Sequence, residues 1–192
     1  MALRTFGAAM RALLALTVLC GIVYPAVVLL AAFAMPSQAG GSLVTADGRV
    51  VGSRLIGQTY LDSSGKPDPR YLHGRPSAAG DQGYDALDSS GTNLGPENPE
   101  LVGQIRERKD TAAAAGEATT ADALTASSSG LDPDVTIENA HQQAARIAKA
   151  RGVDVARVTA LIDRHAHGGV LGPRVVNVLQ LNIALDRELG RK

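Results

Sequence analysis

Four histidines and a run of three serines are the side chains of this 192-residue sequence best suited to metal or covalent chemistry. His165 and His167 form the one close histidine pair. A spacing of two on a helix points such rings to different faces, and neither a cysteine nor a carboxylate cluster completes a zinc set around them. His165 therefore reads as a residue at the edge of a core. Ser127, Ser128 and Ser129 lie close to Asp132 and offer a nucleophile in principle, but no Gly-x-Ser-x-Gly elbow surrounds them. Ser and Asp at this spacing satisfy local backbone groups in turns and helix caps. No Gly-x-x-x-x-Gly-Lys-Ser/Thr loop is present, and Ser90-Gly91-Thr92 is a poor echo of a nucleotide signature. Carboxylates are the more telling group. Asp81, Asp85, Asp88, Glu97 and Glu100 fall within one stretch, which is either a solvated acidic loop or a field that raises the local cation concentration.

Composition narrows the classes further. Two of the 19 basic residues, Arg4 and Arg11, precede the long apolar segment, so 17 remain against 19 acidic residues after it. That remainder has no basic block, and the whole chain has six Phe and Tyr residues, which leaves no charged, aromatic-bearing groove for nucleic acid. The single cysteine, Cys20, falls inside the apolar segment, so the rest of the chain has no disulfides and its stability must come from packing. With no Trp and 21 Gly, its core must be built mostly from Leu, Val, Ile and Ala.

Residues Ala12 to Met35 carry no charge. As a helix they rise about 36 Å and clear the roughly 30 Å hydrocarbon core of a bilayer. Arg4 and Arg11 stand before this segment and the first basic residue after it is Arg49, so the positive-inside rule puts residues 1–11 in the cytoplasm and everything after the span outside. Ala32-Phe33-Ala34 and Ser37-Gln38-Ala39 resemble signal cleavage sites, but the segment is much longer than a signal h-region, which favours an uncleaved anchor. Pro25 has no N–H for the carbonyl of Gly21, so that acceptor needs another partner or the helix bends. Thr17, Gly21 and Pro25 follow at four-residue spacing, a stripe of the kind that admits a second transmembrane helix. Such residues are also common in spanning helices generally.

A linker at 36–42 leads to a domain expected over 43–192. Ser42 to Thr45 and Arg49 to Gly52 flank Ala46-Asp47-Gly48 and predict a hairpin, with a strand extending toward Tyr60. Asp62 to Gly95 is dense in Ser, Gly, Pro, Asp and Asn and shows no period, so it reads as a long irregular contact surface. Asn98 and Pro99 start a helix that runs to about Ala115, and Thr111 to Ala126 resembles a connector. Asp134-Val135-Thr136 introduces a helix from Ile137 to Arg151 that stops at Gly152. A third helix follows Asp154, uses Val155, Val158, Leu161, Ile162 and His165, and ends by Gly168-Gly169. A fourth runs from Asn177 to Leu189 with a Val178, Leu181, Leu185 and Leu189 stripe. The expected fold class is α+β: one N-terminal transmembrane helix, then a single extracytoplasmic domain with a small antiparallel sheet and about four helices, the hairpin being the sheet that the helices cover.

The residues resemble one family in order along nearly the whole chain: the C subunit of the Kdp potassium-transporting ATPase of bacteria. The resemblance runs through Gly21-Ile22-Val23-Tyr24-Pro25, Gly52-Ser53-Arg54-Leu55-Ile56-Gly57-Gln58 and Arg75-Pro76-Ser77-Ala78. It continues through Asn93-Leu94-Gly95-Pro96-Glu97-Asn98-Pro99, Ser129-Gly130-Leu131-Asp132-Pro133 and Asn177 to Asp186. Ser128 and Asp134 stand where the family commonly has Gly and His.

The resemblance implies a non-catalytic subunit of a high-affinity potassium importer in the bacterial inner membrane. Its partners would be a channel-like potassium-binding subunit and a P-type ATPase subunit. It implies no cofactor bound directly, with ATP and potassium used by the complex, and a role in assembly and in raising the ATPase subunit's affinity for ATP. Because ATP is cytoplasmic and the domain is expected outside, that effect would be indirect, through the span. Gln58, Arg75, Asn93, Asn98 and Asp132 sit in these motifs as candidates for anchoring the loop or meeting a partner. The competing readings are an anchored extracytoplasmic hydrolase using His73 or Ser127 to Ser129, and an envelope binding module.

Overall fold

The computed structural model describes residues 2–115 and 117–190. Met1, Gly116, Arg191 and Lys192, on which parts of the expected N-terminal arm, connector and C-terminal domain fall, lie outside the described residues. The chain divides into two compact units, Met1–Leu43 and Val44–Lys192.

The first unit is mainly one long helix. It comprises α1 (Ala2–Val18), a five-residue π-helical segment (Leu19–Val23) and α2 (Tyr24–Ala34). Residues Leu3–Ala34 form a 32-residue apolar run, long and apolar enough to cross a membrane, and none of its most hydrophobic window is buried against protein. The helix starts earlier than the uncharged segment does, since Arg4 to Arg11 continue it. The missing donor at Pro25 is met by a change of ladder. The Tyr24 N–H bonds the Leu19 carbonyl, five residues back, and Pro25 then sits in the first turn of α2, where it needs no donor. The helix stops at Ala34 because Pro36 forces Met35 out of the helical region, to φ −130° and ψ 58°. A single turn, α3 (Pro36–Ala39), follows.

The second unit begins with the predicted hairpin. Strands β1 (Leu43–Ala46) and β2 (Arg49–Ser53) pair around Asp47 and Gly48, whose positive φ values of 50° and 75° are those a tight type I′ turn needs. The expected extension toward Tyr60 does not form. The chain turns at Ser53, whose carbonyl accepts the Ile56 N–H at 3.3 Å.

A second sheet lies where the sequence predicted helix ends. Strands β3 (Asp134–Thr136), β4 (Ala166–Gly168) and β5 (Arg174–Asn177) form an antiparallel sheet in the order β3-β5-β4. Val135 and Ala166 both face Val176 across it. The helices therefore pack on this sheet, and the expectation that they cover the hairpin is corrected. Helices α6 (Ile137–Arg151), α7 (Val155–His165) and α8 (Val178–Leu189) bury their apolar faces with Val135 and Val176 in one core. Their starts are capped by Thr136, Asp154 and Asn177, and Gly152 closes α6 in the left-handed region at φ 65°. Thr136 and Asn177 thus end a strand and cap a helix at once, which places sheet and helices with no intervening loop. The third helix ends at His165, not Gly168, and Val155 in its first turn is exposed. Helix α4 (Pro99–Ala115) forms as expected but buries none of its residues, and α5 (Ala121–Leu124) is one turn with Leu124 buried.

Candidate functional site

The segment from Arg70 to Gly74 has no strand beside it, yet Leu72 lies in the core with no exposed surface. Buried peptide groups must still be paired, and helix side chains pair them. Asn182 on α8 accepts the Leu72 N–H at 2.8 Å and donates to the Leu72 carbonyl at 3.0 Å. Gln143 on α6 does the same for His73, at 2.9 Å and 3.1 Å, and is steadied by donating to Asn139 at 2.7 Å. Each carboxamide imitates the neighbouring strand that the segment lacks. Arginines complete the clamp. Arg146 donates to the carbonyls of Pro69 and Tyr71 at 2.7 and 3.0 Å and pairs with Glu117 at 2.7 Å. Arg151 is buried, donates to the Arg70 carbonyl at 2.7 Å, pairs with Asp186 at 2.9 Å and lies 5.0 Å from the Tyr71 ring centre.

Burial sets the protonation of this seam. His73 is pushed down to about 4, first by desolvation and then by the Arg146 charge. It is neutral at pH 7, and its Nε2 donates to the Asp68 carbonyl at 2.9 Å. Burial likewise pushes the Tyr60 hydroxyl up to about 12. Asp68 is held below the usual carboxylate range by the Arg70 side chain, which pairs with it at 2.6 Å.

The long irregular segment is pinned at a second place, where three of the separated motifs meet. Arg75 bonds Asp132 at 3.0 Å and the carbonyls of Thr125 and Ala126 at 3.4 and 3.3 Å. Tyr84 donates to the Arg75 carbonyl at 2.6 Å. Ser77 donates to Gly130 at 2.6 Å while accepting the N–H groups of Ala79 and Tyr84. The Gly57 N–H bonds the Leu131 carbonyl at 3.0 Å, and a Cβ at Gly57 would come within 2.6 Å of the Asp132 carbonyl and strike the Tyr84 ring. Gln58 reaches back to the Val51 carbonyl at 2.9 Å and holds the hairpin.

The remaining candidates are spread. Asn93 is exposed, in the left-handed region at φ 53°, which Asn tolerates in turns. Asn98 caps α4 by accepting the Glu100 N–H at 2.8 Å. Asp81, Asp85, Asp88, Glu97 and Glu100 are all exposed, and among the described residues no group of three potential ligands could hold a metal ion. Ser127 and Ser129 share a hydroxyl contact of 3.2 Å, and Ser129 accepts the Leu131 N–H. His165 Nδ1 contacts the Leu161 carbonyl at 2.9 Å. Thr17, Gly21 and Pro25 are exposed, Gly21 lies within the π-helical segment, and a Cβ there would meet nothing within 4 Å. Between α4 and the body runs a cleft of about 690 Å³, lined by His73, Pro76 and Gln143 on one side and Gln104, Arg108 and Ala112 on the other.

The family described as the c chain of K+-transporting ATPases, KdpC, matches residues 6–187, covering both units. This chain belongs to the KdpC family. Curated relatives agree, each named a potassium-transporting ATPase KdpC subunit. That of Caulobacter vibrioides is 52% identical over 180 residues, 88% of this chain and 86% of the relative. That of Gemmatimonas aurantiaca is 48% identical over 179 residues, 90% and 87%. That of Mycobacterium tuberculosis is 46% identical over 188 residues, 93% and 96%.

Within this chain, sequence reasoning singled out Gln58, Arg75, Asn93, Asn98 and Asp132, but missed Asn139, Gln143, Arg146, Arg151, Asn182 and Tyr84. A signal for the amides was present. Asn182 stands beside Leu181 in the apolar stripe of α8, and Gln143 beside Ala144 in that of α6. A polar side chain inside a buried stripe needs a partner, and the unpaired irregular segment was the partner available.

Proposed function

We propose that this chain is a non-catalytic accessory subunit of an ATP-driven potassium importer, held in the bacterial inner membrane by its one apolar helix. Its N-terminus lies in the cytoplasm and its domain outside. The observation that carries the reading is the joint one of the family match over residues 6–187 and a helix, Leu3–Ala34, in whose most hydrophobic window no residue is buried. In water such a surface is costly, and in lipid or against another span it is not.

Its partners are a channel-like potassium-binding subunit and a P-type ATPase subunit, reached through the span and the domain. Any gain in the ATPase's nucleotide affinity is transmitted indirectly, by the span biasing the pump's conformation. Hydrolysis by this chain itself is disfavoured. His73 is neutral and committed to the Asp68 carbonyl, and Ser127 and Ser129 are engaged with each other.

Topology is the direct test. The one native cysteine can be removed as C20S and a new one introduced at the exposed Leu87. Labelling of L87C in intact spheroplasts by a membrane-impermeant maleimide is expected. Labelling only after the cells are opened would overturn the orientation.

A further inference from the structure

The turn joining β4 to β5 carries Val170 and Leu171, which are 92% and 102% exposed. It is not a frayed end. Its strands belong to the three-stranded sheet, β5 is the central strand, and Val176 is completely buried at its base. Gly168 and Gly169, at φ 83° and 97°, turn the chain so that the two apolar side chains stand clear of the domain. Such a pair adds nothing to the core and lowers solubility, so folding does not explain it.

Charge indicates what covers the tip. No Asp or Glu occurs from Arg164 to Leu185, whereas Arg164, His165, His167 and Arg174 all do. Among the described residues, the carboxylates that form ion pairs with this stretch are Asp134, 4.0 Å from His167, and Glu188, paired with Arg164. Arg174 at the foot of the turn is exposed. Leu87 offers the contrast: it is 98% exposed but stands between Asp85 and Asp88. An anionic surface would attract the first site and repel the second. Such a surface is close by covalent necessity. Residues 35–43 join the apolar helix to the second unit and span about 30 Å at most when extended, which keeps the domain at high effective concentration near the bilayer.

We propose that the Val170–Leu171 tip inserts into the surface of the bilayer that holds the N-terminal helix, with Arg174 taking anionic phospholipid headgroups. This rests on the spanning role proposed above. The insertion is shallow, of the order of 5–10 Å, as for other apolar wedges with basic flanks.

The sequence contains no Trp, so a single one reports its own environment. The full chain carrying L171W, or V170W as a second probe, is reconstituted into vesicles of phosphatidylcholine with or without phosphatidylglycerol, with brominated acyl chains as quencher. The expected result is blue-shifted emission and about twofold or greater quenching in anionic vesicles, weakened by R174Q, with L87W remaining water-like and unquenched. If L171W and V170W stay water-like while the chain resists alkaline extraction, the tip proposal is overturned and the span stands. Extraction by alkali would overturn both. Shielding of L171W only when the ATPase subunits are added would assign the tip to a protein partner and overturn the lipid assignment.

Discussion

At the scale of single residues, the domain depends on polar groups placed where apolar ones are expected. Asn182 is 1% exposed and satisfies both peptide groups of Leu72. Replacing it with Leu keeps the branched outline of the side chain and leaves two buried groups unpaired, at about 1–3 kcal/mol each, so N182L is expected to cost about 2–6 kcal/mol. Thermal unfolding of the full chain in detergent measures this, and a change below about 0.5 kcal/mol would mean that the amide clamp does not stabilise the fold. His73 makes stability depend on pH. In the unfolded chain it protonates near 6.5, and burial pushes this down to about 4 in the folded chain. Between these values the unfolded state binds more protons, so stability is full above 6.5, falls as the pH drops toward 4, and levels off below it. The complete loss is about 3 kcal/mol. Asp62 and Asp68 are shifted downward from 3.8, so their contribution is lost in a separate window as pH falls below that value. A denaturant series between pH 7 and 4 should therefore show a decline in the parent chain that H73Q flattens.

At the scale of elements, what could be read from the sequence depended on length and period. Helices α6 and α8 announce themselves by apolar stripes and caps, and the β1–β2 hairpin by Asp47-Gly48. Strands β3, β4 and β5 have three or four residues each, too few for an alternating pattern to register. Two of them end on residues that also cap helices, so Asp134 to Thr136 looked like a helix approach. Ala166 to Gly168 extended a helical pattern that was already running. The irregular segment was legible as irregular, but its order was not, because the amides and arginines that fix it lie 70 or more positions away.

The apolar helix is the element whose detail exceeds what anchoring requires. Pro25 and the π-helical turn before it leave Gly21 exposed, with open space around its Cβ position. G21L should therefore insert and fold normally, with an unchanged melting temperature for the domain. If a partner span packs there, recovery of that partner in mild detergent should fall roughly tenfold, equivalent to about 1.4 kcal/mol. Undiminished recovery would mean that the helix only anchors.

At the scale of the whole molecule, the two units divide the work expected of an accessory subunit. One presents an apolar helix with an irregular turn. The other presents a domain whose long loop is bound down by Arg75, Ser77 and the helix amides, while Asp81, Asp85, Asp88, Glu97 and Glu100 are exposed. The most direct measurement is purification of the tagged full chain from its native host in mild detergent, followed by an ATPase assay. A large P-type ATPase and a channel-like protein are expected in stoichiometric yield, with potassium-dependent ATP hydrolysis that belongs to the complex. Recovery of the chain alone, with hydrolytic activity of its own, would contradict it.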